Sequence, residues 1–253
     1  MSQSLFRGSG VALVTPMTPD GIDFPALEQL IEWHIASGTD ALVLCATTGE
    51  GATLTYAERA EIIERSVRQV NGRVPVIVGT GSNDTRRAIE YARQAQRLGA
   101  AGQLSVTPYY NKTTQSGLIR HYHAILDACP LPMILYNVPG RTGMGLSADT
   151  AAALSRHPSV VGLKEASGNS TLTVEILEKT RGELPIYCGN DDQILPMMAQ
   201  GSCGAISVVS NILPDKTRAL TLACLERRMD DAQALQLELM PLIRALFLQV
   251  SPI

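Results

Sequence analysis

Eight times along this chain a short, nearly continuous apolar run is followed by a stretch with helical spacing. The runs fall at 11–16, 41–45, 75–79, 103–107, 132–137, 160–164, 185–188 and 204–209. Apolar runs without polar alternation fit parallel strands covered on both faces. Helical patterns occupy 24–37, 55–70, 84–98, 115–128, 147–155, 170–181 and 192–200, then 215–228 and 230–248. Thr55 with Glu58 forms a capping-box pattern, and Ser147, Asn83 and Asp215 are the expected N-caps of their helices. Gly99 and Gly201 stand where helices should stop. Eight strand–helix units in 253 residues is the pattern of an α/β chain folded as a (β/α)8 TIM barrel, expected here over residues 1–228. A doubly wound sheet is the competing architecture, but Gly79-Thr80-Gly81 runs on to Asp84 where a dinucleotide turn needs glycine.

Composition narrows the function. A formal net charge of −3 with scattered arginines offers no surface for nucleic acid. No apolar run approaches the ~20 residues that span a bilayer, and the N-terminus has neither an apolar core nor a cleavage pattern. A cytoplasmic chain with no membrane contact is therefore expected. The five cysteines are dispersed and show no zinc spacing, so they read as buried free thiols. His34, His121, His123 and His157 map to helices or helix ends, and Asp191-Asp192 has no histidine nearby in sequence, so no metal is expected.

One lysine stands apart. Lys112, Lys179 and Lys216 lie in polar stretches, whereas Lys164 sits inside the apolar sixth strand. A buried ammonium is costly unless paired, and a desolvated amine is a nucleophile able to form a Schiff base with a carbonyl substrate. Snorkelling of a strand-end lysine to solvent is the alternative. In this barrel type the site lies at the C-terminal strand ends. The polar residues expected there include Thr47 and Thr48 after the second strand, Tyr109 and Tyr110 after the fourth, Tyr136 and Arg141 at and after the fifth, and Gly189 after the seventh. Tyr136 would neighbour Lys164 and could pass protons. Thr47 and Thr48, on a glycine-containing turn before a helix, offer donors to a carboxylate, and Arg141 is a fork donor suited to a second one. Each residue alone also reads as a turn, core or surface position; together they point to imine chemistry.

The segments Ala46-Thr47-Thr48-Gly49-Glu50, Val106-Thr107-Pro108-Tyr109-Tyr110-Asn111-Lys112, Leu135-Tyr136-Asn137-Val138-Pro139-Gly140-Arg141-Thr142-Gly143 and Gly162-Leu163-Lys164-Glu165-Ala166-Ser167-Gly168 resemble, in order, the dihydrodipicolinate synthase family. The resemblance implies condensation of pyruvate with L-aspartate 4-semialdehyde to 4-hydroxy-tetrahydrodipicolinate, toward diaminopimelate and lysine. It implies that Lys164 forms the imine, so that no cofactor is needed. Tyr136, Thr47 and Tyr110 would form a proton relay, with Tyr110 supplied across a homodimer, alone or within a homotetramer. Thr48 would hold the pyruvate carboxylate and Arg141 that of the semialdehyde, with backbone carbonyls near Gly189 and Ile206 lining the pocket. Thr-Thr-Gly-Glu and the strand lysine are shared with other pyruvate-dependent class I aldolases, including N-acetylneuraminate lyase. Another such lyase, or a weakly active paralogue with a structural role, are thus the alternatives.

Three departures stand out. Lysine-inhibited members carry a serine after Thr-Thr-Gly-Glu, histidines on the next helix, and an asparagine and a glutamate after the third strand. Here Gly51, Tyr56, Arg59 and Arg87 occupy those positions while Asn83 is kept, so feedback by lysine is expected to be weak or absent. Gly189-Asn190-Asp191 replaces the common Gly-Asp-Asp. Finally, residues 229–253, with their apolar end, read as the remnant of a C-terminal helical extension.

Overall fold

A computed structural model of the chain describes residues 4–251. Residues 1–3 and 252–253, the latter part of the apolar end, lie outside the described residues. Strand β1 (Gly8–Ala12) leads through a hairpin, β2 (Met17–Thr18) and β3 (Gly21–Ile22), into α1 (Phe24–Ala36). The next units are β4 (Ala41–Leu44) with α2 (Tyr56–Val70), β5 (Val76–Gly79) with α3 (Thr85–Arg97), and β6 (Gly102–Val106) with α4 (Gln115–Ala128). Strand β7 (Met133–Asn137) is followed by a short α5 (Pro139–Thr142) and then α6 (Ala148–Leu154). The remaining units are β8 (Val160–Glu165) with α7 (Ser170–Lys179), β9 (Ile186–Cys188) with α8 (Ile194–Ala199), and β10 (Gly204–Ser207) with α9 (Pro214–Leu225). Helix α10 (Met229–Leu246) packs on α9 and α8. The eight long-range strands are parallel and close in the order β1-β10-β9-β8-β7-β6-β5-β4. This is the (β/α)8 barrel expected from the apolar runs.

Strand alternation divides the core in two. One set of side chains faces the barrel axis: Phe6, Ala12, Val43, Ile77, Leu104, Ile134, Tyr136, Tyr187 and Ile206 belong to this inner cluster. The other set, with Val11, Leu42, Leu44, Val78, Leu135 and Leu163, packs against the helices. Thr55 and Glu58 make both bonds of the capping box, and Ser147 caps α6 as expected.

Several boundaries differ from expectation. The first strand starts at Gly8, not 11, because Gly8-Ser9-Gly10 pairs with β10 through small residues that carry no apolar signal. The last strand ends at Ser207, because the Asp191 carboxylate accepts the Val208 and Val209 amides and turns the chain. Asp84, not Asn83, caps α3, accepting from the Arg86 amide. Leu213 precedes α9, with Pro214 in its first turn and Asp215 inside it. Proline there supplies a preset φ rather than a side-chain cap.

Two histidines are structural. His34 Nδ1 pairs with the Thr39 hydroxyl at 3.0 Å and His121 Nδ1 with the Thr85 hydroxyl at 2.8 Å. Each buried Nε2 has no hydrogen-bond partner among the described residues. Burial lowers both rings to about 4, so the native chain holds them neutral. The unfolded chain binds these protons near pH 6.5, the native chain only near pH 4. Their contribution is therefore complete above pH 6.5 and is lost as pH falls toward 4. The loss should reach about 3 kcal/mol per histidine. Replacing both (His34→Gln, His121→Gln) should flatten the fall in denaturation midpoint between pH 6.5 and 4, measured by urea titration at each pH.

Candidate active site

The register of β7 and β8 sets Tyr136 opposite Lys164 and Asn137 opposite Glu165. Paired residues of parallel strands point the same way, so Tyr136 and Lys164 share the inner face while Asn137 and Glu165 share the outer one. Lys164 is only 4% exposed. Its ammonium lies 4.5 Å from the centroid of the Tyr136 ring, a cation–π contact. Among the described residues no carboxylate comes within ion-pairing distance of it. Gly189, after β9, backs the lysine arm: a Cβ there would lie 3.0 Å from Lys164 Cε and 2.7 Å from Ala166 Cβ. Ile206, on β10, is fully buried in the inner cluster.

The neighbouring carboxylates brace the rim. Glu165 accepts from Asn137 Nδ2 at 2.7 Å and from the Ser167 amide, while Asn137 Oδ1 accepts the Leu146 amide. This ties β7, β8 and the loop carrying α5 together. Burial pushes the Glu165 carboxyl above the usual range, opposed by these donors. Asp191 is likewise raised by burial, opposed by the Ser207 side chain, the amides of Val209 and Val208 and the charge of Lys164. Cys45 is pushed up to about 11 and Cys188 further, both by burial, so neither thiol is an activated nucleophile.

Beside the lysine opens a cavity of about 610 Å³. Thr47, Glu50, Asn83, Arg87, Tyr109, Tyr136 and Arg141 are among its lining residues. Lys164 itself is not; Tyr136, which is, presents its ring to the ammonium. Thr48 is 6% exposed, buried beside Thr47 in the loop after β4. Arg141, on α5, donates from Nη2 to the Ser251 carbonyl at 2.8 Å, and Ser251 and Val250 line the cavity. Tyr110 does not reach the cavity of its own chain: it is 90% exposed with φ +67°. The cavity therefore gathers Thr47, Tyr136 and Arg141 of the expected residues, with Thr48, Lys164 and Ile206 buried and Gly189 half-buried around the same rim.

One further residue escaped the reading of the rim. Arg59 is 2% exposed, on the buried face of α2 one turn before Ile62 and Ile63. Helical periodicity carries that signal, because a charge at i−3 and i−4 of core residues must face inward. A group able to hold a metal, His123, Asp127 and His157, lies at the other end of the barrel, near the end of α4 and before β8. There His157 Nδ1 accepts the Ser159 amide, so the neutral ring carries its proton on Nε2, 4.0 Å from Asp127.

Chemically, the rim offers an amine with no carboxylate at ion-pairing distance among the described residues, an aromatic phenol ring against it, hydroxyls and a guanidinium. These suit imine formation with a small carboxylated carbonyl compound. Comparison with known proteins points the same way. The model of the dihydrodipicolinate synthetase family matches residues 5–253. The 4-hydroxy-tetrahydrodipicolinate synthase of Thermoanaerobacter sp. (strain X514) is 48% identical over 250 residues, 98% of this chain and 84% of that protein. The structure of the chloride-inhibited dihydrodipicolinate synthase from Acinetobacter baumannii complexed with pyruvate superposes with a TM-score of 0.95. It is 44% identical and covers 98% of this chain and 85% of the other. A monomeric dihydrodipicolinate synthase variant matches with a TM-score of 0.96 and 38% identity, over 98% of this chain and 84% of its own.

The contact between Gly189 and the lysine arm gives a direct test. Gly189→Ala should displace Lys164 and slow borohydride trapping of a 2-oxo acid by at least about tenfold. The circular dichroism spectrum should be unchanged.

Proposed function

The chain belongs to the dihydrodipicolinate synthetase family, and on that premise we propose how its rim residues divide the work. The chain is a lyase, a 4-hydroxy-tetrahydrodipicolinate synthase of lysine and diaminopimelate biosynthesis, and in our reading it acts through a Schiff base. Its substrates are pyruvate and L-aspartate 4-semialdehyde. The observation that carries this reading is Lys164, buried on the sixth barrel strand, in register with Tyr136 and, among the described residues, without a carboxylate at ion-pairing distance.

Lys164 attacks the ketone carbon of pyruvate, and loss of water gives the imine. The imine acidifies the adjacent methyl group, and the resulting enamine adds to the aldehyde carbon of the semialdehyde. The semialdehyde's own amine then displaces Lys164 and closes the ring. Each stage moves a proton, and the Tyr136 phenol carries it, a role supported by the contact between its ring and the ammonium. Thr47 continues the relay from the cavity wall. Thr48 and its loop amides hold the pyruvate carboxylate, and Arg141 holds that of the semialdehyde, exchanging its bond to the Ser251 carbonyl for the substrate. Carbonyls near Gly189 and Ile206 complete the pocket. The covalent imine takes the place of a cofactor.

Tyr110 fits this scheme only through a second copy of the chain. Its left-handed backbone and 90% exposure aim it away from its own cavity, as a side chain lent across a homodimer requires. A dimer, alone or within a tetramer, in the cytoplasm is the assembly we propose; among the described residues no helix is long and apolar enough to cross a membrane.

Incubation with pyruvate and borohydride should add the reduced pyruvate adduct to the peptide containing Lys164, and Lys164→Ala should abolish it. Tyr136→Phe should keep the adduct but lower turnover with the semialdehyde by about 10²-fold or more. An adduct on another lysine, or one that survives Lys164→Ala, would sink the assignment. Regulation gives a second test. Arg87, exposed on the cavity wall, repels the ammonium groups of a diamino acid. L-lysine should leave the initial rate unchanged through the micromolar range, and inhibition there would contradict this role for Arg87.

A further inference from the structure

The loop that displays Thr47 and Thr48 has an unusual support. Arg59 enters beneath it from the first turn of α2. Its Nη1 donates to the Cys45 carbonyl at 3.4 Å and to the Gly51 carbonyl at 3.2 Å. Its Nη2 donates to the Gly79 carbonyl. The Tyr91 ring covers the guanidinium at 4.1 Å, and among the described residues Arg59 forms no ion pair.

The three carbonyls are not scattered. Cys45 and Gly51 stand at the two ends of the Ala46–Glu50 loop, and Gly79 ends the neighbouring strand β5. A Cβ on Gly51 would lie 2.0 Å from the Cys45 oxygen, and one on Gly79 would lie 2.5 Å from it. Backbone packed this tightly brings negative carbonyl ends together, and a cation between them is what makes the arrangement favourable. The rest of the loop is held by the Gly51 amide on the Ala46 carbonyl, the Glu50 amide on the Thr47 carbonyl, the Thr15 hydroxyl on the Gly49 carbonyl, and the Thr53 amide and hydroxyl on the Glu50 carbonyl. Cys45 and Glu50 adopt left-handed backbone with φ of +53° and +52°, a conformation that a non-glycine residue keeps only under external restraint.

We infer that Arg59 is a positioning residue for catalysis: it gathers the carbonyls of Cys45, Gly51 and Gly79 and so fixes the loop that presents Thr47 and Thr48 to the pyruvate imine. This rests on the roles proposed above for those two threonines. A lysine cannot replace it fully, because a single ammonium lacks the planar fork that reaches carbonyls on both sides.

A double-mutant cycle tests the inference. Arg59→Met and Arg59→Lys are each made in the unaltered chain and in the Thr47→Ala/Thr48→Ala chain. The readout is the rate of borohydride trapping at Lys164 across a range of pyruvate concentrations, with thermal denaturation confirming the folded state. In the unaltered background, Arg59→Met should raise half-saturating pyruvate and lower the maximal trapping rate, each about tenfold, with Arg59→Lys in between. In the background lacking both hydroxyls, the same substitution should change either parameter by less than about twofold, since its effect runs through them. Equal losses in both backgrounds would make Arg59 a plain strut and overturn the inference. So would changes below about twofold in the unaltered chain, or failure of both Arg59 variants to fold. If the unaltered chain forms no adduct at Lys164, the functional reading itself falls and takes this inference with it. An adduct there with no coupling to Arg59 overturns the inference alone.

Discussion

Strands β1 and β10 meet at glycines so close that a Cβ on Gly204 would lie 2.2 Å from the Gly8 oxygen, and this contact closes the sheet. The same seam admits Phe6, which would lie 2.7 Å from a Cβ on Gly10. Phe6 stacks on Tyr187 at 4.4 Å, and the Tyr187 hydroxyl donates back to the Phe6 carbonyl. One end of the barrel is thus filled by aromatic side chains. With closure, strand order becomes circular, and every C-terminal strand end faces the same opening. The adjacency of Tyr136, Lys164 and Gly189 follows from the consecutive pairing of β7, β8 and β9.

Charge is distributed unevenly around that opening. Glu165 and Asp191 are buried nearby, and Glu165 and the Oδ2 oxygen of Asp191 are engaged by amide or side-chain donors that fix loops and strand ends. The carboxylates act as architecture, and Lys164 is left facing an aromatic ring. An ammonium buried without a direct ion pair costs stability; here the Tyr136 ring and the field of buried Asp191 offset that cost. The cations at the rim, Arg87 and Arg141 among them, favour anionic substrates from the same side.

Much of this was legible in the residues because parallel barrel strands are apolar on both faces. Runs such as Val76–Gly79 and Met133–Asn137 announce themselves, and their order implies that Tyr136 neighbours Lys164. What stayed hidden is instructive. The first strand began unseen because Gly8, Ser9 and Gly10 are small by necessity of closure. Helix α5 spans only Pro139–Thr142, too short for a helical period to emerge. The anchoring of β10 by Asp191 joins residues 17 and 18 positions apart, which no local pattern records. Arg59 could be placed inward by its spacing from Ile62 and Ile63, but its three carbonyl partners depend on how β4 and β5 end.

Backbone strain marks the same division between frame and function. Asn71, Arg181 and Arg227 take positive φ at or just beyond the ends of α2, α7 and α9, where a left-handed residue ordinarily terminates a helix. Cys45, Glu50, Tyr110 and Lys112 also take positive φ, but they lie on the loops that follow β4 and β6 at the open end of the barrel. None is glycine, so each conformation costs energy that the surroundings must offset. On the β4 loop that offset is visible as the guanidinium of Arg59 drawing in the carbonyls around Thr47 and Thr48. On the β6 loop it turns Tyr110 outward, away from the cavity that Tyr109 lines. The helix ends use the left-handed region to stop a helix; the two rim loops use it to aim side chains, one set inward and one outward.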